Sequence, residues 1–128
     1  MINILLVDDH KLVREGLKMI LSNDTDLRVI AEAADGQIAL DIMLSNPGQI
    51  DLVITDNQMP VMDGITLVTR IAEKYNDVGI IMLSMNADPA EVNRAMEAGV
   101  DAYLIKSAEV GELALKIKEI MSSKQSPK

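Results

Sequence analysis

Four aliphatic runs each end on a polar residue of a kind that does chemistry. The acid pair Asp8-Asp9 follows Ile2 to Val7, Asp56 follows Asp51 to Thr55, Ser84 follows Val78 to Leu83, and Lys106 follows Ala102 to Ile105. Three carboxylates gathered within a few ångström repel, by about 4 kcal/mol per pair at ~4 Å and an effective dielectric of about 20. Such a cluster needs a cation or a retained proton. Oxygen donors open to water suit a hard divalent ion, Mg²⁺ first and Mn²⁺ as its substitute, rather than zinc. The Lys106 ammonium is a movable point charge for a phosphoryl oxygen, and the Ser84 hydroxyl can donate to another. This is equipment for placing a phosphoryl group on a carboxylate, a reaction that depends mainly on positioning and electrostatics. Asp56, alone at its strand end, is the natural nucleophile, and Asp8 and Asp9 hold the metal.

Taken singly, each residue has a plainer reading. An Asp-Asp pair before a helix commonly caps and solvates, an Asp commonly starts a loop, and surface Ser and Lys are ordinary. Their joint occurrence at successive strand ends carries the inference. His10 is expected to be exposed in the first helical turn, with no second imidazole or thiol to make it a metal ligand. Tyr103, on the last strand, reads equally as core packing or as an amphipathic residue that rotates in a switch. The nine methionines are mainly core filler, with Met82, Met85 and Met96 available to an adaptable face.

The elements that must position these groups alternate. Strand character is found at Ile2 to Val7, Leu27 to Ala33, Asp51 to Thr55, Val78 to Leu83 and Ala102 to Ile105, several of them aliphatic almost throughout, as in a parallel sheet covered on both faces. Between them lie helical patterns. Val13, Leu17, Ile20 and Leu21 form one apolar stripe, and Leu113, Ile117, Ile120 and Met121 repeat its spacing. Asp35-Gly36 opens a helix through Leu44, and Asp63-Gly64 opens one reaching about Tyr75. At Asp88-Pro89-Ala90-Glu91, Asp88 can cap, proline suits the first helical position and Glu91 can close a capping box; Gly99 ends that helix. Five βα units imply an α/β fold, a doubly wound five-stranded parallel sheet with helices on both faces and ligands beyond the carboxyl ends of the strands. Residues 1–121 form this single domain, and 122–128, with no apolar period, are expected to be a linker or frayed tail.

Composition narrows the function classes. In 128 residues, Lys+Arg 12 against Asp+Glu 20 gives a formal charge of −8, which argues against this segment holding a nucleic-acid backbone. Phe and Trp are absent, so there is no stacking platform for bases. Cys is absent and His single, which excludes disulfide scaffolds and zinc clusters and fits a cytoplasmic setting. No apolar run approaches membrane-spanning length, and the residues following Met1 to Val7 do not suit a signal peptide.

VDDH at Val7 to His10, TDNQMPVMDG at Thr55 to Gly64, LSM at Leu83 to Met85 and YLIKS at Tyr103 to Ser107 resemble the receiver domain of bacterial two-component response regulators, in order and over Met1 to Met121. The resemblance implies the flavodoxin-like (βα)5 receiver fold, strand order 2-1-3-4-5. It implies that Asp56 accepts a phosphoryl group from a sensor histidine kinase, with Mg²⁺ bound by Asp9, Asp56 and the main-chain carbonyl of Gln58, and by Asp8 through water. Ser84 and Lys106 would contact the phosphoryl oxygens, and Tyr103 would turn inward as Ser84 moves toward them. The switching face would comprise Asp88 to Gly99, the last strand and Glu109 to Met121, where partners or a second copy of the chain would dock. Two departures stand out: Ser107 replaces the proline that follows the lysine in many receivers, where the bond is cis, and Gln58 and Asn86 occupy positions that in this family tune hydrolysis of the aspartyl phosphate.

His10, the stretch Val13-Arg14-Glu15-Gly16-Leu17 and the pair Lys106-Ser107 look most like the NarL/FixJ branch, whose receivers precede a helix-turn-helix DNA-binding domain. Residues 1–128 contain no such domain, so the chain reads as a fragment ending in the linker, or else as a stand-alone receiver acting through protein contacts; DNA would be reached only through an output domain outside it. Such a protein assists its own phosphorylation without turning over external substrates. A haloacid-dehalogenase-type phosphatase would want an acid where Gln58 stands. A flavin-binding module would want a phosphate cradle where Asp8-Asp9 would repel phosphate.

Overall fold

The computed structural model describes residues 1–85, 88–106 and 110–125. Strands β1 (Ile2–Val7), β2 (Leu27–Ala33), β3 (Leu52–Thr55), β4 (Gly79–Ser84) and β5 (Ala102–Ile105) alternate with helices α1 (Lys11–Ser22), α2 (Gly36–Ser45), α3 (Gly64–Lys74), α4 (Pro89–Ala98) and α5 (Val110–Gln125). The sheet is parallel throughout, in the order β2-β1-β3-β4-β5.

The aliphatic strands are hydrophobic on both faces because each face has its own core. Leu5, Val7, Val53, Ile80 and Met82 pack with Ala39 and Met43 of α2, Leu67, Val68 and Ile71 of α3, and Ala95 of α4. Their sequence neighbours Ile4, Leu6, Leu52, Ile54, Ile81 and Leu83 point the other way, against Leu21 of α1 and Leu113, Ile117, Ile120 and Met121 of α5. β2, at one edge, is the most exposed strand and reads less uniformly apolar.

The helix starts match their caps. Asp35 accepts from the Ile38 amide at 2.9 Å and Asp63 from the Thr66 amide at 2.8 Å. Asp88 caps α4 by accepting from the Ala90 amide at 3.1 Å, with Pro89 in the first turn. The capping box expected of Glu91 does not form, since its carboxylate turns inward to other donors. His10 lies one residue before α1, as its N-cap, instead of in the first turn. α5 continues to Gln125, so 122–125 extend the helix beyond the last apolar contact at Met121, while 126–128 lie outside the described residues. Gly99, at φ 120°, ends α4 in a conformation that suits glycine.

Candidate functional site

The register places Val7, Thr55 and Met82 side by side across β1, β3 and β4, and pairs Ser84 with Ile105. The residues just beyond these strands must therefore emerge at one edge of the sheet. Asp8 (3% exposed), Asp56 (8%) and Ser84 (9%) are buried there, among the few buried polar side chains. Lys106 Nζ lies 3.0 Å from Asp8 Oδ2 and 3.1 Å from Asp56 Oδ2, bridging two carboxylates that would otherwise repel. Burial works against the ammonium, but the Asp8 hydrogen bond and the Asp56 charge outweigh it and raise the Lys106 pKa above its ordinary value. Lys106 is thereby charged and aimed at the acid cluster.

One ligand atom each from Asp8, Asp9, His10 and Asp56 lie within 4.8 Å of one another. The set is dominated by carboxylate oxygens and is open to solvent at Asp9 and His10, a donor chemistry that fits a hard divalent cation keeping some of its water. His10, set aside as a metal ligand on sequence grounds, nevertheless stands with this group: its ring Nδ1 lies 3.1 Å from Asp9 Oδ1 and its main-chain N–H donates to Asp8 Oδ1 at 2.8 Å. Arg14 is a second member that sequence reasoning missed. From α1 it donates through Nη1 to the Asp8 carbonyl and through Nε to Glu32 at 3.0 Å, fastening the acid loop to β2. The signal available was its place in the first turn of the helix that follows the acid pair.

Asp56 is fixed from its own backbone outward. Its amide donates to the Val7 carbonyl at 3.0 Å, and its Oδ1 accepts the Asn57 amide at 2.7 Å. The other carboxylate oxygen faces Lys106 and a cleft of about 380 Å³ lined in part by Gln58, Ser84, Met85, Glu91 and Lys106. Glycine is required at position 64 because α3 begins against this turn. The Gly64 amide donates to the Asn57 carbonyl at 2.7 Å, and a Cβ there would stand 2.2 Å from the Asp56 carbonyl oxygen. A second cleft, of about 420 Å³, opens beside Asp51 and Val78 at the starts of β3 and β4, the opposite edge of the sheet, and contains none of these groups.

Glu91 is the principal site residue that sequence reasoning did not identify. It is 9% exposed, and its Oε2 accepts from Ser84 Oγ at 3.0 Å and from the Tyr103 hydroxyl, while Oε1 accepts from Asn57 Nδ2 at 3.0 Å. Burial pushes the Glu91 carboxyl up, but the hydrogen bonds from Tyr103, Asn57 and Ser84 outweigh it and hold it below the usual range. A carboxylate given three donors displaces the single amide that a capping box would offer.

The Tyr103 hydroxyl is pushed up to about 12, first by burial and then by donating to Glu91, with Ser84 acting in the opposite direction. Because the folded state favours the phenol, its contribution to stability is complete below pH ~10 and is lost as pH rises through about 12. Phenolate absorbance of the native chain should show a late transition near pH 12 that Tyr103→Phe removes. Its persistence in that variant would exclude the assignment.

Ser107 and Asn86, and with them the Lys106-Ser107 peptide bond and the residue two beyond Ser84, lie outside the described residues, as does Glu109.

The family model for the response regulator receiver domain matches residues 4–118. Response regulator UvrY of Escherichia coli strain K12 is 36% identical over 125 residues, covering 98% of this chain and 56% of that protein. The chain thus spans about half the length of this curated relative. Among solved structures, a two-component response regulator of the LuxR family from Aurantimonas sp. SI85-9A1 superposes with a TM-score of 0.87 at 31% identity, covering 94% of this chain and 85% of that one. A chain of the CheX-CheY-BeF3-Mg²⁺ complex from Borrelia burgdorferi superposes with a TM-score of 0.86 at 27% identity, covering 93% and 88%.

Proposed function

Because this chain belongs to the response regulator receiver domain family, we propose that Asp56 takes a phosphoryl group from a sensor histidine kinase in a Mg²⁺-dependent transfer that resets the α4-β5-α5 face. The observation that carries this reading is the bridge of Lys106 between Asp8 and Asp56, at 3.0 and 3.1 Å, at the edge where Ser84 also emerges. The carboxylate oxygen of Asp56 attacks phosphorus, an O–P bond forms, the N–P bond to the kinase imidazole breaks, and the electron pair leaves with that nitrogen. Lys106 and the Ser84 hydroxyl receive the phosphoryl oxygens, and the buried setting of Asp56 limits water at the acyl phosphate.

Asp9, Asp56 and the main-chain carbonyl of Gln58 would hold Mg²⁺, with Asp8 reached through water and Mn²⁺ as a substitute. When bound, the ion supplies charge screening between the incoming phosphoryl group and the acid cluster. The similarity to a chain from a complex containing Mg²⁺ and BeF3 supports this metal. The family match and the LuxR-family neighbour support an output on transcription through a DNA-binding domain outside residues 1–128. No described helix is long and apolar enough to cross a membrane; exchange with the kinase and DNA output would both take place in the cytoplasm.

Incubation with acetyl phosphate, followed by intact mass, should add one phosphoryl group when Mg²⁺ is present and none after chelation. Addition independent of metal, or no addition at all, would overturn the reading.

A further inference from the structure

Helix α4 is seated in an unusual way. Its buried residues are Ala95 and the charged Glu91, so its attachment relies as much on a carboxylate as on apolar contact. That carboxylate accepts donors from three parts of the sheet: Asn57 beyond β3, Ser84 at the end of β4 and Tyr103 within β5. Asn57 also accepts the Ile65 amide through its side-chain oxygen at 3.1 Å and donates its own amide to Asp56. A continuous hydrogen-bonded path therefore runs from the phosphoacceptor to α4.

A serine hydroxyl has one proton to donate. In this structure that proton goes to Glu91. A phosphoryl oxygen on Asp56 would need the same proton, so the two acceptors exclude each other. We propose that Glu91 is the resting-state acceptor for Ser84, which the hydroxyl must leave when Asp56 is phosphorylated, so that this carboxylate both restrains phosphoryl uptake and releases the seat of α4 when uptake occurs. The inference rests on Asp56 being the phosphoacceptor. It makes Glu91 a positioning residue that acts through Ser84 and Tyr103, not on the phosphoryl group itself.

The test uses the full chain in a Tyr75→Phe background, which leaves Tyr103 as its one tyrosine. Glu91→Ala and Glu91→Gln are compared with that parent, after thermal melts establish that each is folded. Two readouts are taken: the NMR signals of the Tyr103 ring without any phosphodonor, and the rate of uptake from acetyl phosphate with Mg²⁺. Freed from Glu91, Ser84 should accelerate uptake by roughly three- to tenfold, equivalent to about 0.7–1.4 kcal/mol. The Tyr103 signals of the unmodified Glu91→Ala chain should move toward those of the phosphorylated parent. Folded variants with uptake at or below the parent rate, or with Tyr103 signals unchanged, would overturn the proposal. Failure of the parent itself to take up a phosphoryl group would instead overturn the role of Asp56, so the two failures are distinguishable.

Discussion

Asp56→Asn should take up no phosphoryl group from acetyl phosphate at any Mg²⁺ concentration, while melting within a few degrees of the parent. The loss is expected to be complete because an amide oxygen is no substitute for the carboxylate nucleophile. Folding should survive for reasons visible around the side chain. Asparagine keeps an oxygen that can accept the Asn57 amide, now bonded to Asp56 Oδ1 at 2.7 Å. Lys106 keeps Asp8 at 3.0 Å, so no buried ammonium is left without a counter-charge. The new side-chain nitrogen would face Lys106, donor against donor, and the ammonium should settle on Asp8. Intact mass and a thermal melt on one preparation check both halves. Labelling of the variant to the parent's extent would place the phosphoacceptor elsewhere.

Gly64→Ala should be severely destabilising although position 64 carries no chemistry. The added methyl would stand 2.2 Å from the Asp56 carbonyl oxygen and 2.7 Å from the Asn57 Cα, both backbone atoms that cannot rotate aside. Ordinary overpacking costs about 1–3 kcal/mol. A clash with backbone belongs at or beyond the upper end, so a loss of about 3 kcal/mol and a fall in Tm of roughly 10 °C are expected. Any relief must move α3 away from the Asp56-Asn57 turn, so the folded fraction should also take up phosphoryl more slowly. Denaturant unfolding with a loss under about 1 kcal/mol would mean that the turn yields easily.

By contrast, the atoms nearest a Cβ at Gly36 all belong to the Met62 side chain, whose sulfur and methylenes can shift. Both glycines stand directly after an Asp at a helix start, and nothing in the local sequence separates them. The difference arises because α3 starts against the main chain of the Asp56-Asn57 turn and α2 starts against a flexible side chain.

The linear order of residues was sufficient for the five βα units, the two-sided strands and the gathering of Asp8, Asp9, Asp56, Ser84 and Lys106 at one edge. Parallel strands place their carboxyl ends together, so the residues leaving each strand share that edge however the helices pack. Packing alone brings Glu91 and Arg14 into the site, whereas His10 reaches it by following Asp8-Asp9 out of β1. Glu91 occupies a position that local rules assign to a capping box. Three donors, one beyond β3, one at the end of β4 and one within β5, draw it inward instead. Local patterns cannot encode that choice, because the orientation of a helical side chain toward a sheet edge depends on how the helix is seated, and the competing donors are seven to thirty-four residues away in the chain.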